Sequence, residues 1–303
     1  MSELDIVTGA TGYSGKYITR RLLAAGRRVR TLTNHPERHN PFGDQIEVLP
    51  YNFEDPEALR KSLEGAATVY NTYWVRFPHG RQTFAHAIAN TKALFRAGEQ
   101  AGVRKFVHVS IANPSEDSPL AYYRGKAELE AALAGSRLSW AIIRPTVIFG
   151  LEDILINNIA WLVRHFPLFA VPGSGEYQLQ PVFVEDLAEI AMEAASKAGN
   201  VAIDAVGPET YSFNDLVRLI ARKLGRIARL VHVPPGLGYY LTRLLGLAVH
   251  DVILTREEIA GLMANLLISR QPPPGKTRLS EWLDQNANRV GSRYASELAR
   301  HFR

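Results

Sequence analysis

Through its first 150 residues the chain alternates short, β-branched apolar runs with stretches of helical periodicity. The runs predict strands at Asp5–Thr8, Arg28–Thr33, Ile46–Leu49, Thr68–Thr72, Lys105–Ser110 and Trp140–Arg144. Between them the 3.6-residue pattern predicts helices at about Tyr13–Ala25, Pro56–Glu64, Phe84–Ala101 and Tyr122–Ala134. Near-continuous apolar strands that alternate with helices build a parallel sheet covered on both faces, so the expected class is α/β with a doubly wound sheet. Gly26, Gly65, Gly102 and Gly135 each follow a helical stretch, where a left-handed C-terminal cap is expected.

Beyond Gly150 the alternation weakens. The Pro/Gly-rich run Val171-Pro-Gly-Ser-Gly-Glu176 reads as a loop entering a second lobe, and segments between about 178 and 206 read as returning to the main sheet. Asp186, after Phe183-Val184, reads as the N-cap of a helix begun by Leu187. From Gly207 the chain is mostly helical, broken at Val233-Pro-Pro-Gly236 and Gln271-Pro-Pro-Pro-Gly275. The expected division is therefore a main domain of residues 1–150 with the returning segments. A smaller, mostly helical lobe of residues 151–177 and 207–303 would carry substrate contacts or a lid.

The most informative motif is Thr8-Gly-Ala-Thr-Gly-Tyr-Ser-Gly15, a GxxGxxG that follows a predicted strand and opens a predicted helix. Gly9 permits the tight turn, Gly12 lets backbone approach a pyrophosphate, and Gly15 lets the helix pack closely on the strand. Thr11, Tyr13 and Ser14 complete the loop, and the helix N-terminus offers free N–H groups and the positive end of its dipole. Glycine-rich turns are common, but strand, motif and helix coincide within one βαβ unit, which points to a dinucleotide in a Rossmann fold. No Gly-Lys-Ser/Thr follows, which excludes a Walker-type loop. At the end of the second strand Thr31-Leu-Thr-Asn34 offers no carboxylate for ribose hydroxyls, while Asn34 and Arg38 leave room for a 2′-phosphate. NADP(H) is thereby favoured over NAD(H), although Arg38 could equally be a surface charge.

Composition narrows the chemistry. A chain of 303 residues with 46% hydrophobic and 21% charged residues has the balance of a folded globular protein. The absence of cysteine removes disulfides, thiolate nucleophiles and thiolate-bound zinc, and no His-rich spacing suggests a metal. No apolar run approaches the ~18 residues of a membrane span and no signal-peptide core is visible, which makes a cytoplasmic protein the expectation. The net charge of +5 could serve an anionic partner, but the basic residues are scattered and no basic recognition helix is visible, so nucleic acid is not expected. The apolar, sparsely charged stretch Leu237–Ala248 leaves peripheral membrane contact open; a lid helix is the plainer reading, with Tyr239, Tyr240 and Trp282 as candidate pocket walls.

Tyr122 and Lys126 stand four residues apart near the start of a predicted helix, hence on one face. An ammonium beside a phenol lowers the phenol pKa and improves it as a proton donor and acceptor. Ser110 ends a predicted parallel strand, on the rim where open α/β sheets bind ligands. Tyr-x-x-x-Lys also occurs by chance on helix surfaces, and the adjacent Tyr123 could be the inward ring instead. His108, within a predicted central strand, reads as a satisfied core residue.

In these residues the chain resembles the extended and atypical branches of the short-chain dehydrogenase/reductase superfamily. The matching features are the Thr8–Gly15 loop, Asn90, Val107-His-Val-Ser110, Tyr122-Tyr-Arg-Gly-Lys126, Arg144-Pro145 and Val182-Phe-Val-Glu-Asp186. The short Ser110-to-Tyr122 spacing and the helical tail resemble NmrA-like proteins and relatives of the nucleotide-binding accessory subunit of respiratory complex I. The resemblance implies Tyr122 as general acid/base, Lys126 on the nicotinamide ribose and Ser110 on the substrate oxygen. It implies Asn52 and Phe53 beside the adenine, Tyr73 near the nicotinamide, and main chain of Pro145 and Thr146 at the carboxamide. Tyr73 and Trp74 replace residues that are usually small there. The implied function is an NAD(P)H-dependent oxidoreductase or sugar-nucleotide-epimerase-like enzyme acting on a carbonyl or carbinol carbon of an unread small-molecule substrate. The alternative is a non-catalytic NADPH-binding regulatory or assembly protein.

Overall fold

A computed structural model describes residues 2–80 and 82–301. The chain runs β1 (Leu4–Thr8), α1 (Tyr13–Ala24), β2 (Arg28–Thr33), β3 (Ile46–Pro50), α2 (Pro56–Leu63), β4 (Ala66–Asn71), α3 (Phe84–Gln100), β5 (Lys105–Val109), α4 (Ala121–Ala134) and β6 (Trp140–Pro145). It continues through β7 (Ile148–Phe149), α5 (Leu155–His165), β8 (Leu168–Pro172), β9 (Gln178–Leu179), β10 (Val182–Phe183), α6 (Val184–Ser196) and β11 (Val201–Ala205). The last part is β12 (Tyr211–Ser212), α7 (Phe213–Lys223), β13 (Arg229–Val233), α8 (Pro235–Val249), α9 (Arg256–Met263), α10 (Leu279–Asn286) and α11 (Glu297–His301).

These elements form two units. The first holds the chain up to Pro145 plus Glu185–Asp204, and the second holds Thr146–Val184 plus Ala205 onward. In the first, a seven-stranded sheet has the order β11-β6-β5-β4-β1-β2-β3, and its pairings from β6 to β3 are parallel. Strand order reverses between β1 and β4, which makes that crevice the topological switch point of a Rossmann fold. β1 and β4 are buried along their whole length, as a sheet covered on both faces requires. Under α2 and α3 the core gathers Ile6, Leu32, Leu59, Leu63, Val69, Leu94 and Phe106.

The helix starts explain the helix positions. Asp55 caps α2 by accepting from the amides of Glu57 and Ala58, with Pro56 in the first turn; Thr83 caps α3 through the His86 amide. Gly26, Gly65 and Gly102 take the expected left-handed conformation, with φ near 70°. Gly135 does not: its φ is −80°, so α4 ends in a right-handed turn in which the Gly135 amide still reaches the Ala131 carbonyl.

The second unit buries Phe149, Ile156, Ile159, Val171, Leu216, Ile220 and Leu283 in its own core. Small two-stranded sheets, β7 with β10, β9 with β12 and β8 with β13, tie it together. The chain therefore leaves the main sheet after Pro145, earlier than expected, because Ile148–Phe149 pairs with Val182–Phe183 instead. Of the 178–206 segment only α6 and β11 return to it. α6 begins at Val184, so Asp186 lies inside its first turn rather than capping it. Trp282, expected as a pocket wall, packs on Phe149 and Phe183 inside the core.

Candidate active site

The loop between β1 and α1 is built by its own backbone. Gly9, at φ 69°, sends its amide to the Leu32 carbonyl at 2.9 Å and accepts from the Gly12 amide at 2.9 Å. Thr31 donates to the Val7 carbonyl at 2.8 Å and accepts from the Ala10 amide at 3.0 Å, which moulds the loop to the end of β2. A Cβ at Gly15 would collide with the Gly9 carbonyl, so Gly15 is the glycine that the fold itself demands. Gly12 is different. Its φ of −75° and ψ of 174° suit any residue, and a Cβ there would stand 3.1 Å from the Gly9 oxygen.

Unlike α2 and α3, α1 starts without help from a side chain. Its N-cap is Gly12, no side chain caps it, and no acidic residue lies in its first turn. Thr11 is exposed and Tyr13, Ser14 and Lys16 are half-buried around this open N-terminus. Unneutralised N–H groups, a positive dipole end and a nearby lysine fit a pyrophosphate. At the end of β2, Asn34 is exposed and Arg38 half-buried; burial, with Arg38 adding to it, holds His35 below its ordinary pKa.

Across the switch point three polar side chains stand in register: Thr8 on β1 pairs with Asn71 on β4, and Asn71 with His108 on β5. The Thr8 hydroxyl donates to Asn71 Oδ1 at 2.9 Å and accepts the amides of Thr72 and Tyr73 at 2.8 and 3.1 Å. The Asn71 amide lies 3.0 Å from His108 Nδ1, an arrangement that makes Nδ1 the acceptor and puts the ring proton on Nε2. That Nε2 has no partner, so His108 is only half satisfied. Burial, aided by Lys126, pushes its pKa well down and keeps the ring neutral. The row fixes where the chain leaves β4, and hence where Tyr73 and Trp74 stand. Sequence reasoning missed Thr8 and Asn71, although a polar residue at or next to the end of each of three strands was a visible signal.

Tyr73 accepts from Asn90 Nδ2 at 2.9 Å, and its ring meets Tyr51 and Phe53 at centroid separations of 5.1 and 5.2 Å. Phe53 stacks on Tyr51 at 4.6 Å, so the expected adenine neighbour belongs to an aromatic cluster with a second ring, Tyr51, that was not foreseen. Asn52 beside it is exposed and left-handed at φ 49°.

Around β5 and α4 lie the residues expected to do chemistry. Ser110 is buried, its amide bonded to the Ile143 carbonyl at 2.7 Å, and its Oγ has no hydrogen-bond partner. Tyr123, not Tyr122, is the inward ring of its helix; Tyr122 is half-buried, edge-on to Trp74 and Phe84 at 5.6 and 5.9 Å. Lys126 is 2% exposed, donates to the Val109 carbonyl at 2.9 Å and lies 4.3 Å from the centre of the Trp74 indole. Desolvation pushes its pKa down to about 7, with Glu130 offsetting part of the shift. Glu130 itself is held by Arg144 through both carboxylate oxygens. Trp74 stacks on Phe84 at 5.9 Å, and a Cβ at Gly125 would come within 3.2 Å of its ring. Gly125 is thus what lets the indole reach Lys126.

The structure brings Ser110, Tyr122 and Lys126 to one corner of the first unit but does not join Ser110 Oγ to Tyr122, since that oxygen has no partner. Pro145 accepts the Ala112 amide at 2.9 Å. Thr146 belongs to the second unit, where its hydroxyl donates to the Gln180 carbonyl.

Comparison with known proteins supports dinucleotide binding. Residues 9–152 match the family described as NAD(P)H-binding. The chain is 27% identical over 240 residues to the mitochondrial NADH dehydrogenase [ubiquinone] 1 alpha subcomplex subunit 9 of Arabidopsis thaliana, covering 75% of this chain and 60% of the plant protein. It is 25% identical over 244 residues to the photosystem II assembly factor Ycf39 of Cyanidium caldarium, covering 80% and 78%. In fold it is similar to an NADPH-dependent quinone oxidoreductase from Escherichia coli in complex with NADPH, with a TM-score of 0.76 and 18% identity over 93% of this chain and 99% of that one. Residues 9–152 therefore carry an NAD(P)H-binding domain, and the relatives are consistent with the resemblance to atypical short-chain dehydrogenases/reductases.

Proposed function

We propose that this protein is an NADPH-dependent reductase that adds a hydride to a carbonyl-type carbon and a proton to its oxygen, with Tyr122 as proton donor. The observation that carries the reading is the pair of unspent polar groups beside β5: the Ser110 hydroxyl, buried without a partner, and the Lys126 ammonium, buried against a single carbonyl. Burying such groups costs stability unless a ligand completes them. A bound nicotinamide cofactor would supply the hydride. Ser110 would hold the substrate oxygen, the Tyr122 phenol would give it a proton, and Lys126 would hold the ribose and stabilise the phenolate left behind. Asn34 and Arg38 would favour the 2′-phosphate, and the open start of α1 the pyrophosphate.

A second reading, an NADPH-binding accessory or assembly protein without turnover, is favoured by the indole of Trp74 over Lys126. The complex I subunit and the photosystem assembly factor among its relatives support it as well. NADPH oxidation measured against quinones, aldehydes, ketones and nucleotide sugars separates the two. The enzyme reading expects turnover with one of these classes, and Tyr122→Phe should lower it by about 10²- to 10⁴-fold while NADPH affinity stays within about twofold. Background rates with every class, together with a rise in Tm on adding NADPH, would establish the binding protein instead.

A further inference from the structure

The second unit presents an apolar surface on α8. α8 packs against β8 closely enough that a Cβ at Gly238 would stand 3.3 Å from Pro172, and the Arg256 guanidinium lies 4.8 Å from the Tyr239 ring. Its outer face carries Leu237, Tyr240, Leu241, Leu244 and Leu247, each 40–69% exposed. Their spacing of i, i+3, i+4, i+7 and i+10 aligns them in one stripe about 15 Å long. A surface helix normally turns its apolar stripe inward; a second, outward stripe marks an interaction site.

Charge says what would cover it. From Leu216 to His250 there are six Lys and Arg residues and no Asp or Glu, out of 35 and 30 in the chain. This segment therefore holds the whole positive excess of +5 and leaves the rest at −1. Arg218 and Lys223 are engaged by Asp215 and Asp284, but Arg222, Arg226, Arg229 and Arg243 are exposed. Arg243 stands beside the stripe, one turn from both Tyr240 and Leu247. At 15 residues α8 is too short to cross a bilayer, which takes about 20, and among the described residues no helix is long and apolar enough to do so.

We propose that α8 docks this protein on the surface of an anionic lipid bilayer. The helix lies in the membrane plane with its leucine stripe in the headgroup boundary, Tyr240 at the interface and Arg243 reaching to lipid phosphates. Lipid is the occupant the chemistry favours, because four of the five stripe residues are leucines, the fifth is a tyrosine suited to a membrane interface, and the surrounding segment is basic with no carboxylate.

Co-sedimentation of the full chain with phosphatidylcholine vesicles, with and without phosphatidylglycerol, tests this. The protein should pellet with the anionic vesicles, bind neutral ones several-fold less, and be partly released by salt. The double variant Leu244→Glu, Leu247→Glu should lose at least about tenfold in binding, the effect of withdrawing a leucine from an apolar phase, with Tm and NADPH binding unchanged. Leu244→Trp should give indole emission that shifts to the blue on anionic vesicles and is quenched by brominated lipid. Wild-type protein left in the supernatant, or an unshifted Leu244→Trp, overturns the proposal. A dimer in solution that Leu244→Glu dissociates overturns it too, since a second copy would then cover the stripe.

Discussion

Replacing Lys126 with methionine tests the central electrostatic feature of the site. The amine is buried with one carbonyl and one indole for company, and Glu130 is occupied by Arg144. Desolvation therefore lowers its pKa from 10.5 to about 7. At about 1.4 kcal/mol per tenfold, this corresponds to up to about 5 kcal/mol of stability lost at neutral pH. Above the unfolded value the amine is neutral in both states and costs nothing. Between 10.5 and about 7 the unfolded chain holds a proton that the folded one lacks, so stability falls as pH falls. Below that window both states are protonated and the cost is constant. Methionine has a similar length and no charge, and forfeits one hydrogen bond and one cation–π contact, together about 1–2 kcal/mol. Lys126→Met should therefore be about 3 kcal/mol more stable than the parent at pH 7, with the advantage shrinking and reversing toward pH 10.5. Urea denaturation of both proteins at the two pH values measures this, and the difference between them cancels the other titrating groups. NADPH affinity should meanwhile fall about 10- to 100-fold, as the loss of a charged hydrogen bond implies. A stability difference that does not change with pH would refute the reasoning, because it would mean that the fold does not desolvate the ammonium.

The two loop glycines should fail in different ways. Gly12→Val should keep Tm within a few degrees yet lose NADPH binding by more than about 100-fold in calorimetry, because its backbone angles suit valine but, on the proposed reading, its side chain would stand where the pyrophosphate must approach. Gly15→Ala should lower Tm itself, since its Cβ meets the Gly9 carbonyl; equal Tm values for the two variants would contradict the geometry. In paired titrations the parent should bind NADPH more tightly than NADH, and Arg38→Ala should narrow that gap; an NADH preference in the parent would instead point to Asn34 on a free 2′-hydroxyl.

The sheet was legible because its central strands are buried on both faces and so are written as apolar runs, and because turn glycines punctuate the helices. Where a local rule had two physical solutions, sequence could not choose between them. Gly135 ends α4 without a left-handed residue, because a right-handed turn also satisfies the Ala131 carbonyl. Asp186 looked like a cap because Val182-Phe-Val resembles a full strand. Only two of those residues pair, with Ile148–Phe149, which frees Val184 to start the helix. The second unit was hardest to read, since its strands are two to five residues long and find partners far along the chain.

The same distinction runs through the candidate site. The loop glycines and the Tyr122–Lys126 pair were candidates in sequence because their spacing is local: a turn, and one helical repeat. What surrounds them is set by contacts across the sheet. Thr8, Asn71 and His108 form a row because three neighbouring strands pair in register at these residues, and the Thr8 hydroxyl takes the amides of Thr72 and Tyr73 just before Trp74. Trp74 was visible in sequence as a bulky residue in a position that is usually small, but nothing local says that its indole rests on an amine 52 positions away, admitted by the missing side chain of Gly125. The indole lies against Lys126, the residue proposed to hold the ribose, so on that proposal cofactor binding and the position of Trp74 are linked. Either the ring moves when the dinucleotide enters, and binding affinity is reduced by the cost of displacing it, or the cofactor approaches Lys126 from another side and the ring stays as a wall of the pocket. Trp74→Ala decides between them: tighter NADPH binding means that the indole must be displaced, and weaker binding means that it is part of the pocket.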